Sequence, residues 1–128
     1  MSALSNYLEN VVLDHTLGTS STAAPASVYL ALFTDNPTDA ATGTEVTGGS
    51  YARTVVTFNA ASGGSTSNSA VVTFPTATAN WGTITHMAIY DASTAGNMLY
   101  HGALATSKTI NDTDVFQISA GNLSIALD

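Results

Sequence analysis

Positive charge is almost missing from this sequence. One arginine, Arg53, and one lysine, Lys108, stand against nine acids in 128 residues, for a formal net charge of −7. Two cations cannot form the stripe that neutralises phosphates or attracts an anionic surface, so neither nucleic acid nor membrane is an expected partner. Cysteine is absent, which removes disulfides, thiol nucleophiles and cysteine-ligated zinc together and leaves the redox compartment open. Long apolar runs are missing too. The longest, VYLALF, is too short to span a bilayer, and the start MSALSNYLEN lacks the basic end and apolar centre of a signal peptide. Synthesis and assembly in the cytosol are expected.

Charged residues make up only 9% of the chain while hydrophobic residues make up 45%, against roughly 25% charged in soluble domains. Thr, Ser, Ala, Gly and Asn fill the gap. A neutral, polar, β-rich surface results, of the kind that suits an exterior covered by other subunits, because each charge desolvated at an interface costs energy unless paired. The length is that of one domain, 1–128, divided into an N-terminal helix (1–18) and a β-domain (27–128).

In SALSNYLENVVLDHTLG, the residues Leu4, Tyr7, Leu8, Val11, Val12 and His15 recur at offsets of three and four, the spacing of one helix face. The helix is expected over Ala3–Leu17, capped by Ser2 or Ser5 and stopped at Gly18. Everything after Ser27 reads with period two. VYLALF is apolar on both faces, as in a strand covered on both sides. In YARTVVTFNA the set Ala52, Thr54, Val56 and Phe58 is the better core candidate against Tyr51, Arg53, Val55 and Thr57. SGGSTSNS reads as a flexible hairpin tip, AVVTF as a strand ended by Pro75, and WGTITHMAIYD with MLYHGALAT as a hairpin around ASTAGN. VFQISA and LSIALD turn at Gly121-Asn122. The fold class is mainly β: an antiparallel β-sandwich or partly closed barrel of about seven or eight short strands with one N-terminal amphipathic α-helix.

Few residues offer chemistry. His86 and His101 flank the ASTAGN hairpin and read as a cross-strand packing pair, since neither has a carboxylate at a metal-motif offset; His15 reads as a surface or interface residue at the helix C-terminus. No G-x-S-x-G elbow activates a serine, and KTINDTDVF has too few acids for calcium, leaving Asp112 and Asp114 in a solvated turn. Asp35 and Asp39 bracket Pro37 as turn and capping residues. Trp81 reads as a core-edge aromatic rather than, with Tyr90 and Tyr100, a sugar platform. No catalytic residue, metal or cofactor is expected. Arg53 is the exception to explain: a hairpin closing through Thr47 to Ser50 would bring it to Glu45 as a bidentate structural clasp.

ALSNYLENVVLDH, VYLALFTDNPTDA, GTEVTGGSYAR, and FPTATANWGTITHMAIYDA followed by LYHGAL together resemble a family of small tailed-bacteriophage virion proteins, often labelled tail fibre proteins. The resemblance covers nearly the whole chain and implies a structural component of a phage particle, made in the host cytoplasm. Fibres are usually long and repetitive, whereas this chain has no heptads, triplets or repeats. The leading expectation is therefore a capsid cement (decoration) protein on the capsid exterior, bridging and stabilising major capsid protein subunits and associating with itself as a homotrimer. Its partner interface would be the helix face of Leu4, Tyr7, Leu8, Val11 and Val12. The alternative is a tail or tail-fibre component involved in host attachment, with tail proteins as partners.

Overall fold

A computed structural model describes residues 3–127. Ser2, the other candidate helix cap, and Asp128 lie outside the described residues. The chain is mainly β, with 38% of residues in strands and 9% in a helix. It runs β1 (Ala3–Leu4), α1 (Asn6–Thr16), β2 (Val28–Phe33), β3 (Thr54–Val56), β4 (Ser65–Ser67), β5 (Val72–Thr73), β6 (Gly82–Tyr90), β7 (Met98–Ile110), β8 (Gln117–Ile118) and β9 (Ser124–Ala126). β1, β7, β6, β2 and β3 form one open antiparallel sheet in that order; β4 pairs with β9 and β5 with β8.

Period two in β2 and β6 sorts side chains to opposite faces of the main sheet. On one face Leu30, Leu32, Met87 and Ile89 join Val56, Val72, Phe74, Trp81, Phe116, Leu123 and Ile125 in a single cluster, so the two small sheets close over it. Phe74 is its hub, with ring centroids 6.2 Å from Tyr51, 6.5 Å from Trp81 and 5.6 Å from Phe116. On the other face Ala31, Phe33, Ala88, Tyr90 and Met98 make a smaller core. Loop residues reach this side: Arg53 lies over the Tyr90 ring, and Asp39 bonds to His101, which stands opposite Ala88. β2 is therefore apolar at every position because both its faces are buried.

Several expected boundaries move. The helix begins at Asn6 rather than Ala3, because Ala3 and Leu4 pair with His101 and Tyr100 as an edge strand. Ser5 is the cap, accepting from Leu8 N at 3.2 Å, and Gly18 takes a positive φ of 80° just past the helix. YARTVVTFNA is a strand only over Thr54–Val56, so alternation does not bind the residues before it: Ala52 is exposed while Tyr51 packs on the core. SGGSTSNS is tied down rather than free, since Ser65–Ser67 pair with Ser124–Ala126. β8 and β9 bracket the Gly121 turn without pairing with each other, because each serves a different small sheet.

Candidate functional site

Two places concentrate the unusual residues: the surroundings of Arg53 and the side of the sheet under α1. Glu45 bridges to Phe33, and Thr44 and Val46 flank it by bonding to Thr34 and Leu32, while Thr54 pairs with Leu30. The segments carrying Glu45 and Arg53 thus lie one after the other along the same edge of β2, not opposite each other in a hairpin. The chain between them is drawn aside by Trp81, whose Nε1 donates to Gly49 O at 2.9 Å. A Cβ on Gly49 would stand 2.9 Å from that nitrogen, and its φ of 58° also favours glycine.

Arg53 Nε donates to Glu45 Oε2 and Nη2 to Oε1, both at 2.9 Å, a bidentate pair. Nη1 donates to Ala92 O at 3.1 Å and Ala95 O at 2.7 Å, and the guanidinium carbon lies 3.6 Å from the Tyr90 ring centroid. Burial opposes the charge, but the hydrogen bonds and negative charge of Glu45 outweigh it and raise the Arg53 pKa. Tyr51 completes the cage. Its hydroxyl donates to Glu45 Oε2 at 2.7 Å and accepts from Leu32 N at 3.0 Å; burial first, then the bond to Glu45, push its pKa well above the usual phenol range. Each guanidinium nitrogen is engaged and the side chain is only 9% exposed. The group is positioned to join loops, not to receive a ligand.

α1 is the reverse case, a helix with no fully buried residue. Leu8 and Val11 are half-buried; Tyr7, Val12, Leu13 and Leu17 are exposed, Leu17 at 73%. Leu4 belongs to β1 and is half-buried there. Of the five residues expected at a partner interface, four therefore lie on the helix and one on the strand before it. Between helix and sheet runs a groove of about 420 Å³, walled by Tyr7, Leu8, Val11 and Tyr100 over Val28 and Leu99.

His86 and His101 stand on neighbouring strands opposite Ala103 and Ala88, and each finds its own partner. His86 Nδ1 lies 2.8 Å from Thr85 Oγ1, and His101 Nε2 lies 2.6 Å from Asp39 Oδ1. Asp39 O also accepts from Asn6 N at 2.9 Å, so this loop residue anchors both β7 and the start of α1 instead of merely capping a turn. Asp114 caps its turn by accepting from Asn111 N at 2.8 Å. Trp81 and Tyr90 are buried and Tyr100 lines the groove, so the three form no exposed platform. Among the described residues no three metal-ligating side chains cluster.

Two sets of long-range polar contacts escape sequence reading. Buried Asn68 donates to Ala70 O at 2.9 Å and Ser119 O at 3.1 Å and accepts from Leu123 N at 3.0 Å, stitching the β4 segment to the C-terminal strands. Ser5, besides capping α1, donates to Met98 O. Both act on partners far along the chain, and nothing in SNS or LSN marks them beyond a general liking of Asn and Ser for backbone groups.

Among curated proteins, none matches the chain. The family described as podophage GP4 fiber I protein gp80 matches residues 3–126, essentially the whole two-layered fold with its clasp and its helix. The chain belongs to that family and is a structural, fibre-type protein of a phage particle.

Proposed function

We propose that this chain is a tail-fibre component that contributes to host attachment and is held in the particle through the α1 side of its sheet. The observation that carries the attachment mode is the helix itself. It displays Tyr7, Val12 and Leu13 to solvent, with Leu17 exposed just past its end, while burying none of its side chains completely, an arrangement suited to a surface completed by a neighbour. The family description speaks of a fibre, which favours this reading over a capsid cement. The cement reading, with trimers bridging major capsid subunits, keeps the small size and neutral surface in its favour and is the second choice.

The proposed role is mechanical rather than catalytic. Among the described residues the buried polar ones, His101, Asn68 and Ser5, are all occupied in internal hydrogen bonds, and Arg53 is committed to its cage. Electron microscopy of particles carrying a gold-labelled C-terminal tag tests the reading. Label at the tail end is expected; label spread over the head would replace it with the cement role.

A further inference from the structure

The groove under α1 has an apolar interior and a one-signed rim. Its volume of about 420 Å³ lies within the roughly 300–1,000 Å³ of ordinary binding clefts. Tyr7, Val11, Leu99 and Tyr100 supply apolar surface, and beyond the two tyrosine hydroxyls the polar side chains of the lining are Thr22 and Asp91 alone. A sugar, which needs hydrogen-bond partners around its ring, is poorly served; apolar side chains are well served. Asp91 is held in place by Asn97, which donates from its backbone N at 2.7 Å and from Nδ2 at 3.0 Å. Among the described residues, no basic side chain lines the groove. Asp14 lies on the same helix face as Tyr7 and Val11, at offsets of seven and three.

Charge decides what kind of segment fits. Both cations of the chain are accounted for: Arg53 is caged by Glu45, and Lys108 stands opposite Ile84 on β7, away from the groove lining. A second copy would bring another net −7 and only Lys108 to offset the acidic rim, and like charges brought together oppose docking. We propose that the groove receives an apolar segment carrying a lysine or arginine from a different protein of the particle. This deepens the virion-attachment reading above and rests on it.

The test places a photoreactive benzophenone side chain at position 7 in assembled particles and identifies the cross-linked segment by mass spectrometry. A second measurement compares Val11→Lys with Val11→Glu in the same particles. Both remove the same half-buried apolar group, with folding checked by circular dichroism, so their difference isolates charge. The expected result is an apolar segment of another virion protein with a lysine or arginine, and a cross-link yield at least about fivefold lower for Val11→Lys than for Val11→Glu. A cross-link to a second copy, a segment without a basic residue, equal yields from the two variants, or no cross-link overturns the proposal. Head label in the microscopy with a basic cross-linked segment would remove the tail assignment and leave the groove assignment standing; tail label without a cross-link would do the opposite.

Discussion

Arg53 is the residue on which the smaller core depends for its polar closure. Its fork joins Glu45, its third nitrogen holds two carbonyls of the 92–95 loop, and its flat face covers Tyr90. Lysine can reproduce the charge but neither the fork nor the stacking. We predict that Arg53→Ala costs about 3 kcal/mol, because it leaves Glu45 charged and partly buried without its partner, and that Arg53→Lys recovers only part of this. Urea unfolding of both, with a double-mutant cycle against Glu45→Gln, measures it; zero coupling would show that the pair contributes nothing. The tyrosines carry a second prediction. Burial raises the pKa values of Tyr51, Tyr90 and Tyr100, so the folded state holds phenolic protons that the unfolded chain loses above about pH 10. Their contribution is complete below that pH and is lost as pH rises through the folded values. Melting temperature should therefore fall progressively above about pH 10, and Tyr51→Phe should flatten the fall. An alkaline profile unchanged by Tyr51→Phe would mean that Tyr51 is not its source.

At the scale of elements, β1 and α1 form one N-terminal unit hinged at Ser5. Ser5 N donates to Leu99 O at 2.9 Å, its hydroxyl reaches Met98 O, and it caps the helix through Leu8 N. One small side chain thus serves the helix end and the β7 edge together. Ser5→Ala removes the cap and leaves the Met98 carbonyl without that donor, for an expected loss of about 2 kcal/mol. Leu13→Ser and Leu17→Ser, both exposed in the folded chain, should stay within about 0.5 kcal/mol in the same thermal melts. If Ser5→Ala proves as mild as these two, the hinge does not depend on the serine.

The whole molecule is a β-layered body with a helix laid on its side. The principal core runs from Leu30 to Ile125 and contains no α1 residue as a fully buried member; only Leu8 packs on it from the helix. Removing residues 1–17 should therefore leave a cooperatively melting β-protein, with a lower melting temperature because Leu99 and Tyr100 lose the helix above them. Circular dichroism and calorimetry of the truncated chain check this. Loss of the cooperative transition would show instead that the β-layers need the helix to fold.

What could be read without coordinates was local. The unbroken apolar run of VYLALF and the period two of WGTITHMAIYD mark strands, offsets of three and four in YLENVV mark a helix, and serine and Gly18 mark its ends, because each depends on a few bonds between near neighbours. Glu45 and Arg53, eight residues apart, are near enough to suggest each other, although their meeting along β2 rather than across a hairpin was not legible. Strand partners were not legible either: two-residue strands such as β5 and β8 carry too few side chains to specify a register, and Val72 meets Ile118 only because the shared core brings them together. Composition and local pattern were enough for a mainly β chain with a capped N-terminal helix and only two basic residues against nine acids. Packing across the chain was needed for Asp39 to hold His101, 62 residues away, for Asn68 to bind Leu123, 55 residues away, and for the helix to shelter a groove instead of filling it. Local propensity acts over a turn or a strand, whereas these contacts exist only after distant segments have been packed into place by burial of a common core.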